Sequence, residues 1–212
     1  MINSYDFDGT IYDGDSSVDF YIYSIRRNKK VLLQVPIQLW GIILYLLRII
    51  DKTKFKEYLF SYLKRIDNVN EYIDDFWKKH YKNIKDWYLK QKDESDVIIS
   101  ASPEFLLKPL EKKLKVSIIA TIIDKNTGKF LSKNCHDYEK IKRYEEKYNK
   151  KIRAFYSDSI RADRAMLEYA KKAYLVTKDK VEEIDIKHMW KDHLWKNYLI
   201  KKIFYIHFLY FQ

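Results

Sequence analysis

The chain has 212 residues, a hydrophobic fraction of 47% and a formal net charge of +11 at pH 7. This length allows one domain with an insertion or two small domains, and the low Gly and Pro counts exclude a disordered chain. The single cysteine, Cys135, excludes an internal disulfide framework and favours a reducing cytoplasm. The positive charge is spread over nearly every segment without a zinc-finger or RNA-binding signature, which disfavours a nucleic acid partner.

The first segment carries a pair of carboxylates. Residues 2–7 form a short apolar and aromatic run that predicts a buried strand, and Asp6 and Asp8 stand two apart at its end. Carboxylates at this spacing face the same side and repel each other unless a cation lies between them, which indicates a hard metal such as Mg²⁺. Gly9 then allows a sharp turn. The alternative is a strand followed by an ordinary Asp-Gly turn without catalytic meaning.

Residues 15–92 are predicted to form an inserted, all-helical domain. Its first helix is capped by Ser16 or Ser17, next to a further carboxylate, Asp15. Residues 52–91 carry aromatic and apolar residues at steps of three and four, as in the core of a helical bundle.

The most hydrophobic segment of the chain is 31–50, which is long enough to cross a bilayer. The less hydrophobic residues within it lie along one stripe of a helix, which indicates an amphipathic helix instead. These residues are Gln34, Gln38, Gly41, Tyr45 and Arg48. Two interpretations stay open: a helix that buries its broad apolar face on its neighbours, or a helix that lies in a membrane interface.

From residue 93 the pattern changes to strands alternating with helices. Residues 97–99 predict a buried parallel strand that ends at Ser100, and Pro103 opens a helix that reaches about residue 113. A hydroxyl at a strand end beside a helix N-terminus can bind phosphate; the alternative is simple helix capping by Ser102. Residues 116–123 give the next strand. Several lysines follow in residues 132–151.

The next predicted strand, residues 152–156, ends in Ser157-Asp158-Ser159, and Asp163 lies at the start of the following helix. Residues 173–177 supply a final strand. The predicted fold class is therefore α/β, with a Rossmann-like parallel-sheet core formed by residues 1–14 and 93–212 and an inserted helical cap domain formed by residues 15–92.

Four of these elements, in this order, resemble the motifs of the haloacid dehalogenase superfamily of phosphohydrolases. They are Asp6-Phe7-Asp8-Gly9-Thr10, Ser100, Lys140 and the pair Asp158 and Asp163. An insertion directly after the first motif resembles the phosphoserine phosphatase-like branch. The resemblance implies Asp6 as nucleophile, Asp8 as general acid/base, and an aspartyl-phosphate intermediate. It further implies phosphate binding by Ser100, Gly9, Thr10 and a lysine that offsets the phosphoryl charge, Lys140 or alternatively Lys133. It also implies Mg²⁺ held by Asp6, Asp8 and Asp158, and supporting roles for Asp163 and Asp15.

The substrate is expected to be a small phosphorylated metabolite. Relatives specific for phosphoserine carry Gly-Gly where this chain has Ala101-Ser102, which counts against phosphoserine. The first alternative is a lipid phosphate, as for phosphatidylglycerophosphate phosphatases, with peripheral membrane contact through residues 31–50 and 186–212 of a cytoplasmic protein. An alternative of another class is a non-catalytic basic protein that binds membrane or nucleic acid.

Overall fold

The computed structural model describes residues 1–186 of the chain. A six-stranded sheet runs through it in the order β3-β2-β1-β4-β5-β6. The first five strands in this order are parallel and β6 is antiparallel to β5. The strands are β1 (Ile2–Tyr5), β2 (Val97–Pro103), β3 (Ser117–Thr121), β4 (Ile152–Ser157), β5 (Lys172–Thr177) and β6 (Lys180–Ile184). The predicted α/β fold with a parallel-sheet core is confirmed.

Helices connect the parallel strands. The α-helices are α1 (Ser16–Arg27), α2 (Val35–Leu46), α3 (Lys52–Phe60), α4 (Val69–His80), α5 (Asp86–Gln91), α6 (Glu104–Leu107), α7 (Pro109–Leu114), α8 (Tyr138–Lys147) and α9 (Arg164–Tyr169). Three 3-10 helices lie among the first five of these, at Lys29–Gln34, Ser61–Arg65 and Tyr81–Asn83.

The two faces of the sheet bury different residues, as the alternation of side chains along a strand requires. Ile98 of β2 packs with aromatic residues of the segment 16–91, whereas its neighbours Val97 and Ile99 pack with α8 and α9. Trp77 of α4 joins the helical segment to the sheet: its ring meets that of Phe7 edge to face, and its Nε1 donates to the Leu106 carbonyl at 2.7 Å. The division of the chain into core and cap domains stays a prediction.

The prediction that the helix within residues 31–50 buries its broad apolar face is wrong. In α2 and the 3-10 helix before it, Gln34, Gln38 and Gly41 are buried, while most of the Leu, Ile and Trp side chains are exposed. Gln38 accepts a hydrogen bond from Tyr21 Oη at 2.7 Å and donates to the Leu59 carbonyl at 2.8 Å. Three residues of the predicted stripe, Gln34, Gln38 and Gly41, thus face inward, where the Gln38 amide has partners, whereas Tyr45 and Arg48 are exposed.

Several predicted boundaries also differ. Asp15, instead of Ser16 or Ser17, caps α1 by accepting from the backbone N–H groups of Ser17 and Val18. The helix predicted from Pro103 is divided into α6 and α7, because Pro109 begins a new helix. The short edge strand β6 was not predicted, since most of its side chains are charged.

The 18 residues Lys29–Leu46 are apolar and long enough to cross a membrane, judged by length and composition alone, with a mean hydropathy of 1.2. They are the only such stretch among residues 1–186. Of the predicted membrane contact through 186–212, all but Ile186 lies outside the described residues.

Candidate active site

The polar strand ends meet at one edge of the sheet. Asp6 and Asp8 follow β1, Ser100 lies within β2, and Asp158 follows β4. Parallel strands place their carboxyl ends at the same edge, which is where open α/β sheets bind ligands. The Asp6 N–H donates to the Tyr156 carbonyl at 2.9 Å, so pairing with β4 continues as far as Asp6 and fixes its position.

A buried lysine links two carboxylates at this edge. Lys140, on the first turn of α8, is 2% exposed, and its Nζ lies 2.7 Å from Asp6 Oδ1 and 2.5 Å from Asp163 Oδ1. Ser157 Oγ, at the end of β4, donates to the other oxygen of Asp163 at 2.7 Å. Asp163 is thereby held on both sides and in turn fixes the lysine beside Asp6.

Burial dominates the electrostatics of Asp6. Desolvation raises the pKa of its carboxyl to about 8; the nearby Lys140 ammonium opposes this rise and the Asp163 carboxylate adds to it. For Lys140 burial lowers the pKa, but the attraction of Asp6 and Asp163 outweighs it and the net pKa is raised. The lysine is therefore charged at neutral pH, whereas Asp6 needs a further cation to be fully ionised there.

Asp8 is held by hydrogen bonds to both oxygens. The Ser16 N–H donates to Oδ1 at 2.6 Å, and Ser102 Oγ donates to Oδ2 at 2.5 Å. Ser17 Oγ lies 3.1 Å from Ser102 Oγ and extends this chain of hydroxyl groups. Burial raises the pKa of Asp8, while the hydrogen bonds from Ser102 and Ser16 lower it. The carboxyl group is thus fixed in orientation and can hold a proton closer to neutral pH than an exposed Asp can.

The loop after Asp8 packs tightly against Asp158. Gly9 has a φ of +74°, and a Cβ at this position would overlap the Asp158 carboxylate, so only glycine leaves room for it. The Thr10 hydroxyl accepts from the Asp158 N–H at 2.9 Å and donates to Asp158 Oδ1 at 3.3 Å. The Gly9 N–H donates to the Gly14 carbonyl. The Gly9 N–H and the Thr10 hydroxyl thus have partners within the chain, and phosphate binding by Gly9 and Thr10 stays a prediction.

The carboxylates suit Mg²⁺. Burial raises the pKa of Asp6 and that of Asp158, and the nearby Asp163 carboxylate raises both further, so a cation would stabilise these two groups. Among residues 1–186, no group of three or more His, Cys, Asp or Glu side chains is arranged as a metal cage. Mg²⁺ does not need one, since it binds through one or two carboxylates and completes its coordination with water and substrate phosphate. Asp6, Asp158 and the Asp8 carbonyl fit that role.

The family model for haloacid dehalogenase-like hydrolases matches residues 4–168, which include every site residue described above. The chain belongs to this family. The resemblance that the four motifs indicated is confirmed at the level of the superfamily. No curated protein matches the sequence.

Solved structures share the fold of this hydrolase. A protein of unknown function from Bordetella pertussis Tohama I is 15% identical, with a TM-score of 0.60 over 81% of this chain and 87% of the other. A phosphoserine phosphohydrolase-like protein from Francisella tularensis subsp. tularensis SCHU S4 is 17% identical, with a TM-score of 0.53 over 84% of this chain and 88% of the other. At these identities the likeness concerns the fold alone.

A cavity of about 600 Å³ opens beside the paired carboxylates of the hydrolase. Asp6, Asp8, Ser100, Lys140 and Asp163 form its polar end, and the predicted supporting residue Asp15 also lines it. The walls away from them are largely apolar and come from α1, α2, α3 and the 3-10 helix that follows, including Val18, Val35, Leu39, Ile42, Leu59 and Phe60. Lys133, the alternative to Lys140, is exposed and does not line the cavity.

Some residues at the hydrolase site were not singled out from the sequence. Ser102 was considered only as a helix cap, but its hydroxyl contacts Asp8 and makes no cap hydrogen bond to α6. Lys56 and His136 line the cavity, and burial lowers the pKa of each, that of Lys56 to about 8. Lys85 donates to the carbonyls of Gly9 at 2.6 Å and Lys178 at 2.8 Å, which ties down the loop. Of these residues, only Ser102 could have been singled out from the sequence, because it is a second hydroxyl residue close to Ser100.

Proposed function

We propose that this protein is a Mg²⁺-dependent phosphatase that hydrolyses a phosphate monoester through an aspartyl-phosphate on Asp6. The observation that carries the proposal is the buried bridge of Lys140 between Asp6 and Asp163, at 2.7 and 2.5 Å. Holding a lysine without solvent beside a carboxylate at a cavity floor costs folding free energy, because both charges lose hydration. A buried cation at this position can attract an anionic group that enters the cavity, which we take to be the phosphoryl group of the substrate.

Asp6 would act as the nucleophile, as in other enzymes that form covalent intermediates on a carboxylate. Lys140 contacts Oδ1, and we assign the attack on phosphorus to Oδ2. The P–O bond to the leaving group breaks as the bond to Asp6 forms. Lys140 remains within reach of the phosphoryl group throughout and offsets its negative charge. When bound, Mg²⁺ would supply further charge compensation for the phosphoryl oxygens.

Asp8 would give its proton to the leaving oxygen and then take one from the water that attacks the aspartyl-phosphate. Its two hydrogen bonds, from Ser16 N–H and Ser102 Oγ, keep the carboxyl group in one orientation during both steps. Ser100 would bind a phosphoryl oxygen. Its Oγ accepts from the Ser102 N–H at 3.0 Å, which leaves the hydroxyl proton of Ser100 free to be donated.

Two substrate classes remain from the sequence, a small phosphorylated metabolite and a lipid phosphate. A cavity of about 600 Å³ is large enough for either. The apolar walls that α1, α2 and α3 provide favour a substrate that carries an apolar group next to its phosphate.

The test is hydrolysis of p-nitrophenyl phosphate with Mg²⁺ and after removal of Mg²⁺ with EDTA. We expect turnover only with Mg²⁺ and none in Asp6→Asn, because an amide cannot act as the nucleophile. Asp13→Asn is the matched control: Asp13 lies in the same loop but does not line the cavity, so this variant should keep its activity. Full turnover by Asp6→Asn would overturn the mechanism.

A further inference from the structure

Large apolar side chains are exposed on α2 and on the residues just before and after it. We define the docking face as six side chains that are each between 54% and 74% exposed: Leu33, Leu39, Trp40, Leu46, Leu47 and Ile49. Single exposed apolar residues are common on soluble proteins, but a cluster of large ones on one element marks a surface that contacts a partner or a membrane.

The helix is oriented by its polar side. Gln38 is fixed between the Tyr21 hydroxyl and the Leu59 carbonyl. Gly41 packs so closely on Tyr58 of α3 that any Cβ at this position would overlap the tyrosine ring. These contacts occupy the side of α2 that faces the protein. The docking face is therefore directed outward by the fold, and α2 cannot turn it inward without breaking them.

The charges around the docking face match those of an anionic bilayer. Lys29 and Lys30 are exposed at one end of the segment, and Arg48 and Lys52 are exposed at the other. A helix with apolar residues, an exposed Trp and basic residues at its ends is typical of one that lies in the membrane interface. Since Gln38 and Gly41 bind the protein on the other side, α2 lies along the surface of the molecule and does not cross the bilayer.

The docking face is continuous with the cavity. Leu39 is 54% exposed on the docking face and also lines the cavity, together with Val35 and Ile42 of the same helix. The polar end of this cavity is formed by Asp6 and Lys140. An apolar path thus leads along α2 from the docking face to the phosphoryl site.

We propose that the docking face lies on an anionic lipid bilayer, and that the hydrolase takes from it an amphiphilic phosphate monoester whose apolar part rests against α2. The first half of this inference, docking on the bilayer, stands alone, and the second half, hydrolysis of the amphiphilic phosphate, rests on the proposed phosphatase function. The hydrolysed bond is the P–O ester bond of the lipid, and the products are the lipid alcohol and inorganic phosphate, with water as the second reactant.

Vesicle flotation of the full chain tests the first half. The vesicles contain phosphatidylcholine alone or with phosphatidylglycerol, and low and high salt are compared. We expect binding to the anionic vesicles that weakens with salt. The double variant W40S/L46S should bind at least about tenfold more weakly, since burial of each large apolar side chain contributes roughly a factor of ten or more. The control I122S/L131S alters two exposed apolar residues outside the docking face and should bind like the wild type.

Turnover tests the second half. The substrates are phosphatidic acid in the same vesicles and soluble p-nitrophenyl phosphate. W40S/L46S should lose most of its turnover of phosphatidic acid and keep that of p-nitrophenyl phosphate, because neither Trp40 nor Leu46 lines the cavity. I122S/L131S should retain both activities.

The outcomes separate the two proposals. Hydrolysis of p-nitrophenyl phosphate without vesicle binding would overturn the docking face and leave the phosphatase proposal intact. Vesicle binding without hydrolysis of either substrate would overturn the phosphatase proposal only. Binding with turnover of p-nitrophenyl phosphate but not phosphatidic acid would overturn delivery of a lipid substrate. A wild-type dimer that W40S/L46S converts to a monomer, with no vesicle binding by either, would assign the face to self-association and overturn the bilayer proposal.

Discussion

Ser102→Ala is expected to change the pH dependence of catalysis. The Ser102 hydroxyl donates to Asp8 Oδ2 at 2.5 Å in a buried site, and this hydrogen bond lowers the pKa of Asp8. A hydrogen bond to a charged group contributes about 1.5–3 kcal/mol. Its loss disfavours the ionised form of Asp8 by that amount, and a difference of about 1.4 kcal/mol moves a titration by one pH unit. The Ser16 N–H still fixes the other oxygen, so the position of the carboxyl group is kept.

The assay is the dependence of kcat on pH with p-nitrophenyl phosphate. Its leaving group needs no proton from Asp8, so Asp8 is needed only in its ionised form, as the base in hydrolysis of the aspartyl-phosphate. We expect the acidic limb of the Ser102→Ala profile to lie about 1 to 2 pH units above that of the wild type. Ser102→Thr keeps the hydroxyl and should restore the wild-type profile. A Ser102→Ala profile that superimposes on the wild-type profile would refute the role assigned to this hydrogen bond.

Three further changes test the site. Lys140→Met leaves the buried carboxyl groups of Asp6 and Asp163 without their shared cation and should lower the free energy of unfolding in urea titrations by about 3–5 kcal/mol; a loss below about 1 kcal/mol would contradict the bridge. Because the pKa of Asp6 is raised, the folded protein holds a proton on Asp6 that it gives up only near pH 8, so stability without metal falls as pH rises toward 8. The increase in Tm on adding Mg²⁺ should therefore grow over the same pH range and vanish in Asp6→Asn. An increase in Tm that is independent of pH would contradict this. Lys56→Met should raise KM for p-nitrophenyl phosphate several-fold with little change in kcat, since the cationic Lys56 lines the cavity but has no part in the proposed phosphoryl transfer; an unchanged KM would exclude a role for Lys56 in binding.

Much of the site could be predicted because its residues lie at strand ends. A parallel strand covered on both faces is a short apolar run, and the first polar residue after it is placed at the carboxyl edge of the sheet. Asp6 directly follows β1, and Ser157 and Asp158 are the first polar residues after the apolar part of β4. Lys140 does not follow this rule, since it belongs to a helix; only the resemblance to the family singled it out, with Lys133 as the alternative. The structure places Lys140 at 2.7 Å from Asp6.

The contacts of Ser102 could not be predicted from the strand pattern. β2 continues to Pro103, and its register with β3 shifts between Ile99 and Pro103. Such an irregularity re-aims the side chains beyond it, so counting alternate residues from Ile99 no longer gives their direction. This places the hydroxyl of Ser102, instead of that of Ser100, against Asp8.

The orientation of α2 was out of reach for a different reason. Hydropathy reveals that a helix has two unlike sides, but it does not tell which side faces the protein. That choice depends on partners distant in the chain, namely Tyr21, Tyr58 and Leu59, which offer Gln38 hydrogen bonds and Gly41 a close contact. The usual rule that apolar faces are buried fails here.

The central claim is that Asp6 forms a covalent bond to the phosphoryl group. The most direct measurement is mass spectrometry of the hydrolase quenched in acid during turnover of p-nitrophenyl phosphate with Mg²⁺. We predict one added phosphoryl group on the peptide that contains Asp6, more of it in Asp8→Asn, where water is no longer deprotonated, and none in Asp6→Asn. Steady turnover with no phosphoryl group on the protein, or with the group on a residue other than Asp6, would contradict the account.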